Sequence, residues 1–224
     1  LPTGDEKLKM VRSMFDAIAP RYDLVNRVMT FGMDRAWRRR TVSALGLDSN
    51  SLVADIACGT GDLCIELRKQ RMRAIGFDLS VGMLSSARTT SPLVQADALR
   101  LPVKDGAMDG ITCGFALRNV IDLDLLFAEI ARVLRSGGRI ALLEVATPEN
   151  PLLRAGHALY FKKIVPLVGG LLSDRKAYAY LPRSTAYLPS THDLLGKLTD
   201  AGFEDVDREL MGPGAAQLIH ATRA

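Results

Sequence analysis

Residues Asp55–Asp62 read DIACGTGD, set between the apolar run SLVA at 51–54 and LCIELRK at 63–69. Strand-like residues before, a helical period after and two glycines between them predict a β-strand, a tight turn and an α-helix. Glycine at such a junction removes the Cβ that would keep a ligand away from the backbone N–H groups and the helix N-terminus. A turn that binds nothing is the plain alternative. Two carboxylates favour a ligand: Asp78 ends the next strand, MRAIGFD, and Asp97 in QADAL ends the one after, at the same carboxyl edge of the sheet.

The alternation continues outward. SVGMLSSAR reads as a helix, PLVQAD and MDGITCGFA as strands, DLDLLFAEIARVLR as a helix, Gly137-Gly138 as a turn and RIALLEVA as a strand. THDLLGKLTDAGF is a late helix, and EDVDREL with AAQLIHATRA forms a terminal hairpin. EKLKMVRSMFDAIA and DRAWRRRTVSAL are helical stretches before the first strand, the second ending at a capping Gly46. Strand–helix alternation from 51 to 146 predicts an α/β, doubly wound sheet of seven mostly parallel strands with one antiparallel edge strand and a helical cap. The expected organisation is a single domain over 1–224. It comprises an N-terminal helical cap (1–48), a cofactor-binding core (51–146), a substrate-cap insertion (151–190) and a terminal helix and hairpin (191–224).

Composition narrows the function classes. The chain is 224 residues long and 48% hydrophobic, enough to bury a core, and no run reaches the roughly eighteen apolar residues of a membrane span. The start, LPTGDEKLKM, lacks the apolar centre of a signal peptide, so the expected location is cytoplasmic, with peripheral contact at the inner face of the membrane as a further expectation. Three cysteines and three histidines lie at no metal-ligand spacing, so no metal is expected. A net charge of +4 suits an anionic surface, but no RNA-binding module accompanies it and no nucleic-acid partner is expected.

The glycine loop departs from a dinucleotide fingerprint, because Cys64 stands where the third glycine would fall. Asp62 adds a negative charge in the first helical turn, which disfavours a pyrophosphate. A cationic ligand that carries a ribose, such as S-adenosylmethionine, fits this chemistry better than NAD.

Six segments carry a resemblance across nearly the whole chain: MFDAIAPRYDLVNRVMTFGMDRAWRR (14–39), DIACGTGD (55–62), GFDLSVGML (76–84), GFALRNV (114–120), RVLRSGGRIALLEV (132–145) and AYAYLPRSTAYLP (177–189). Together they resemble the class I S-adenosylmethionine methyltransferases of quinone biosynthesis, the menaquinone and ubiquinone methylase family. DxACGTGD marks only the superfamily, whereas FDxIAxxYDxxN with FxLRNV is more specific. The resemblance implies that Asp55, Gly59, Thr60 and Gly61 hold the methionine end, Asp78 the ribose, Asp97 and Ala98 the adenine, and that Gly114 lines the sulfonium side. Ala116 stands where the family commonly has glycine, RSGG replaces KPGG, and the last strand matches a glycine-rich ending poorly.

By the same resemblance Arg118, Asn119 and Tyr22 are the catalytic candidates, with Arg21 and Asn26 facing the substrate from the cap. Arg118 would stabilise a phenolate; the plain alternative is an arginine paired with an acid such as Asp122 or Asp78. Tyr22 could equally be a core aromatic. No histidine falls in these motifs, so no histidine base is expected. The implied reaction is C-methylation of a prenylated quinol in menaquinone or ubiquinone biosynthesis. Methylation of another small aromatic product and a non-catalytic cofactor-binding scaffold remain the alternatives. The apolar segment 151–172 reads as a cap helix broken at Pro166 and Gly169-Gly170, or as an entrance for a prenyl tail that touches membrane. Arg35, Arg38, Arg39 and Arg40 read as a solvated helix face or a lipid-facing one. A homodimer is compatible with the sequence, though no pattern demands it.

Overall fold

The computed structural model describes residues 2–224. Helices α1 (Gly4–Ile18), α2 (Tyr22–Met29) and α3 (Met33–Ala44) precede β1 (Leu52–Ile56). Then follow α4 (Asp62–Lys69), β2 (Arg73–Asp78), α5 (Val81–Ser85), β3 (Leu93–Gln95), β4 (Met108–Gly114), α6 (Leu123–Val133) and β5 (Leu134–Val145). Three cap helices come next, α7 (Pro151–Leu159), α8 (Val165–Leu172) and α9 (Arg175–Ser184). The chain ends with α10 (Thr191–Asp200), β6 (Phe203–Met211) and β7 (Ala216–Arg223).

The seven strands form one sheet in the order β3-β2-β1-β4-β5-β7-β6. Every pairing from β3 to β5 is parallel, and β7 runs antiparallel to both neighbours. The expected terminal hairpin is present, but its antiparallel strand is inserted one place in from the edge, which β6 occupies.

Parallel strands in the middle of such a sheet are buried on both faces and read as continuous apolar runs. Val53, Ala54, Asp55 and Ile56 are accordingly fully buried. One core lies beneath α6 and α10, around Phe127, Ile130, Leu198 and Phe203. The other lies beneath α3 and α4, around Trp37, Val42, Leu63 and Leu67. A third cluster, Ile18, Ala19, Val25, Met83 and Ala177, joins the N-terminal helices to α5 and α9 above the carboxyl edge.

Two expected breaks are absent. The turn at Gly137-Gly138 is an irregularity inside β5: the register jumps from Met108 opposite Leu134 to Gly110 opposite Arg139, and Gly137 takes φ +71°. The helix at 151–172 continues through Gly169-Gly170 and ends at Ser173, with one wide turn at Tyr160–Ile164. A wide turn just ahead of Pro166 relieves the missing proline N–H without ending the helix. The side chains of Lys162 and Pro166 lie outside the described residues.

Candidate functional site

The glycine loop sits where β1 hands over to α4. Gly61 is the N-cap of α4 with φ +84°, and a Cβ there would stand 2.6 Å from Thr89 Cγ2. Gly59 has φ +55°, and a Cβ on it would meet nothing within 4 Å. The first glycine faces open space and the second is closed in by packing. The Gly59 N–H donates to Asp78 Oδ2 at 2.7 Å and the Ser80 N–H to Asp78 Oδ1 at 2.8 Å, which fixes the Asp78 carboxylate at the end of β2. Burial pushes the Asp78 carboxyl above its usual value. Asp97 is held in the same way at the end of β3, where its Oδ1 accepts from the Leu99 N–H at 2.9 Å.

A cavity of about 120 Å³ opens at this edge. Among its lining residues are Gly59, Asp78, Asp97, Ala98 and Gly114, together with Tyr22 and Asn119. Asp55, Thr60 and Gly61 do not line it. Asp55 is fully buried beneath the loop, where it accepts hydrogen bonds from Thr112 Oγ1 at 2.8 Å and Cys64 Sγ at 3.5 Å. The register that places Asp55 opposite Thr112 makes the first of these bonds a cross-strand contact. Burial holds the Asp55 carboxyl up at about 7, although both hydrogen bonds pull it down. Asp62 does not line the cavity either, and its carboxylate lies 3.2 Å from Arg38 Nη2.

The roof of the cleft comes from the N-terminal helices. Leu8, Val11 and Phe15 of α1 line the cavity, and Phe15 meets Tyr22 edge-on, with ring centroids 5.9 Å apart. Two aspartates within FDxIAxxYDxxN fasten this roof. Asp16 Oδ1 accepts from Ser80 Oγ at 2.5 Å and from the Gly82 N–H at 2.9 Å; Asp23 Oδ1 accepts from Thr60 Oγ1 at 2.5 Å. The motif's tyrosine and asparagine were the expected site residues; its aspartates, on two different helices, have partners far away in the chain and no local pattern that singles them out.

A second, larger cavity of about 380 Å³ lies under α7 and the wide turn after it. Tyr22 and Phe115 line both cavities and so mark where they meet. Asn26, Trp37, Arg118, His157 and Tyr160 also line the larger one. Arg21 is exposed and lies outside both linings. Tyr22 is hydrogen-bonded to the Asn26 side chain, and burial pushes its phenol above the usual value, so it remains protonated at neutral pH.

Arg118 is buried, and its acid partner is Glu144, in place of the Asp122 or Asp78 considered from sequence. The guanidinium Nη1 pairs with Glu144 Oε1 and donates to the Phe115 carbonyl at 2.7 Å, while Nε donates to Ser184 Oγ at 3.1 Å. Nη2 takes no part in these bonds. A single acid inside the apolar strand IALLEV was the sequence signal for Glu144, since a buried carboxylate needs partners. Asn119 lies on the cofactor side, with its Oδ1 accepting from Tyr180 Oη at 3.3 Å. Of the four arginines of α3, Arg38 is turned inward onto Asp34 and Asp62, and Arg40 pairs with Glu209 at 2.6 Å. Among the described residues no group of three or more metal-ligating side chains is found.

The smaller cavity has glycine backbone at one end, two carboxylates along it and an aromatic at its junction with an apolar chamber. These features fit a cationic, ribose-bearing methyl donor better than a dinucleotide. The sheet order and this cleft define a Rossmann-like, S-adenosylmethionine-dependent methyltransferase. A solved S-adenosylmethionine-dependent methyltransferase from Thermotoga maritima is similar in fold, with a TM-score of 0.67 at 20% identity, over 95% of this chain and 99% of that one. The chain belongs to the ubiE/COQ5 methyltransferase family, which it matches over residues 3–223. It is 42% identical to the demethylmenaquinone methyltransferase of Roseiflexus castenholzii, over 97% of this chain and 95% of that protein. It is 36% identical to the ubiquinone/menaquinone biosynthesis C-methyltransferase UbiE of Citrifermentans bemidjiense, over 97% and 98% respectively.

Proposed function

We propose that this enzyme methylates a ring carbon of a prenylated quinol, with a demethylated naphthoquinol as the preferred acceptor, and that residues 1–224 act as one unit in doing so. The observation that carries the reading is the meeting of the two cavities at Tyr22 and Phe115, a small polar cleft opening onto a larger apolar chamber. The 42% identity with a demethylmenaquinone methyltransferase supports the naphthoquinol.

Asp78 and Asp97 present carboxylates for hydroxyl and amino donors, and Gly59 lets the backbone approach. Asp55, Thr60 and Gly61 hold the loop from below. Ala98 and Gly114 leave room at the adenine and sulfonium ends. Bound in the cleft, S-adenosylmethionine supplies an electrophilic methyl group. The chain's own residues must align the acceptor carbon and enrich it in electrons. Arg118 favours a deprotonated ring oxygen through opposite charge, and Tyr22, which stays protonated, donates a hydrogen bond. The acceptor carbon would take the methyl group as its bond to sulfur breaks, leaving S-adenosylhomocysteine, and the ring proton on that carbon would pass to water to restore aromaticity. Asn119 acts as a positioning residue on the donor side.

Leu152, at 82% exposure, and Phe31, at 77%, line the larger cavity and also face outward, with Leu153 beside them. This apolar rim suits the exit of a prenyl tail and peripheral contact with a lipid surface. Among the described residues no helix is long and apolar enough to cross a membrane.

The test is transfer of labelled methyl from S-adenosylmethionine to two reduced acceptors with short prenyl tails, a demethylated naphthoquinol and a methoxybenzoquinol. Carbon methylation of the naphthoquinol is expected. Exclusive methylation of the benzoquinol overturns the preference, and labelling of neither overturns the quinol reading.

A further inference from the structure

Arg118 and Asn119 sit side by side in the short turn Leu117–Asn119 that follows β4, and one helix holds them both. Ser184 Oγ accepts from Arg118 Nε at 3.1 Å, and Tyr180 Oη donates to Asn119 Oδ1 at 3.3 Å. Tyr180 and Ser184 are four residues apart on α9, which places them on one helix face a turn apart. Ala177, three residues before Tyr180, shares that face and is buried with Ile18, Val25 and Met83 above the carboxyl edge. This packing seats the helix, and its later turns carry the two hydroxyls to neighbouring residues. Both side chains are buried, Ser184 completely. Burial pushes the Tyr180 phenol up to about 12, so the hydroxyl keeps the proton it donates.

The guanidinium is planar, and bonds at two of its nitrogens fix its plane. Nη1 is held by Glu144 and the Phe115 carbonyl, and Ser184 supplies the hold on Nε. Among the described residues, the bond from Tyr180 is the only hydrogen bond to the Asn119 side chain, so it alone sets the rotation of that amide. Arg118 lines the larger cavity and Asn119 the smaller, whereas Tyr180 and Ser184 line neither. They therefore reach a bound molecule only through their partners. We propose that Tyr180 and Ser184 are positioning residues for methyl transfer: α9 sets the Asn119 amide and the Arg118 guanidinium in their working orientations. The proposal rests on the reading of Arg118 and Asn119 as residues that serve the reaction. It gives the segment after β5 a part in the chemistry in addition to covering the acceptor.

The experiment measures single-turnover methylation of the reduced naphthoquinol by Tyr180→Phe and Ser184→Ala. Each is made alone and together with loss of its partner, in Asn119→Ala and Arg118→Met respectively. Each single variant is expected to lower the rate at saturating quinol about tenfold, with the half-saturating quinol concentration unchanged. Neither is expected to cost anything further once its partner is gone, because a positioning residue acts through that partner. Tyr180→Phe keeps the ring and removes only Oη, so it stays readable where Ser184→Ala lowers Tm. Single variants within twofold of wild type overturn the proposal, as do losses that add in the double variants. Nitrogen-15 NMR of the Arg118 Nε–H, assigned by its disappearance in Arg118→Met, separates the proposal from the quinol reading. Ser184→Ala is expected to speed exchange of that proton with water. If wild type methylates no quinol but the exchange speeds up, the quinol reading falls and the placement of Arg118 by α9 stands. If quinol is methylated and Ser184→Ala changes neither rate nor exchange, the proposal falls alone. If no quinol is methylated and the exchange is unchanged, both fall.

Discussion

Glu144 grips Arg118 at two points, its Oε1 on the guanidinium and its Oε2 on the Arg118 backbone N–H at 3.2 Å. Both side chains are buried, Glu144 completely. Removing one partner of such a pair strands the other charge and is commonly destabilising by about 3–5 kcal/mol, whereas replacing both is far milder. Arg118→Met is therefore expected to lower Tm and to reduce turnover about 10²–10³-fold. Arg118→Met with Glu144→Gln is expected to recover most of the Tm and none of the turnover. Thermal unfolding and single-turnover methylation check this; recovery of both in the double variant removes Arg118 from the chemistry.

The two glycines of the loop separate binding from folding. Gly59 has open space where a Cβ would go and Gly61 has Thr89 at 2.6 Å. Gly59→Ala carries the strain of a left-handed backbone, about 1–2 kcal/mol, and sets a methyl group at the cofactor cleft. A modest drop in Tm and a large loss of S-adenosylmethionine affinity are expected. Gly61→Ala carries the same strain plus a packing clash, and the larger drop in Tm belongs to it. Calorimetric titration and thermal melts on both variants decide; equal Tm losses contradict the assignment.

Asp16 and Asp23 tie the roof to the loops that hold the cofactor, through Ser80, Gly82 and Thr60. Freed of these bonds, the roof opens more often. Asp16→Ala is expected to speed dissociation of S-adenosylmethionine about tenfold or more while leaving the sheet intact. Stopped-flow displacement measures this rate, and far-ultraviolet circular dichroism checks the fold. An unchanged rate means the roof is held by its apolar contacts, Ile18, Val25 and Met83, alone.

What sequence revealed and what it hid follow from the range of the interactions. Strands β1 to β5 and their helices were legible because each is a local run of apolar residues broken by glycine or a cap. The insertion of β7 between β5 and β6 was not, since edge order depends on which strand offers a free side. Asp78, Asp97 and Gly59 come together at one cavity because strand ends converge on one edge in this topology. Glu144, Asp16 and Asp23 were missed because their partners lie 26, 64 and 37 residues away in the chain.

The buried Asp55 carries a pH signature that is separable from catalysis. Its carboxyl stands at about 7 in the folded chain against 3.8 for the free group, with burial as the leading cause. Between these values the folded state holds a proton that the unfolded chain has lost, so stability falls as pH rises from about 4 to about 7. Below that window both states are protonated; above it both are ionised and the charge is buried at full penalty. Three pH units correspond to an upper bound of about 4 kcal/mol. Asp78 and Asp62 are also raised by burial and add to the same slope, so the informative quantity is the difference between variant and wild type. Asp55→Asn keeps an oxygen for the Thr112 hydroxyl and is neutral throughout. Denaturant unfolding of the chain without cofactor is therefore expected to show Asp55→Asn gaining on wild type across this window and holding the gain above it. Parallel curves for the two proteins would mean that Asp55 is ionised in the fold, its charge carried by Thr112 and Cys64 alone.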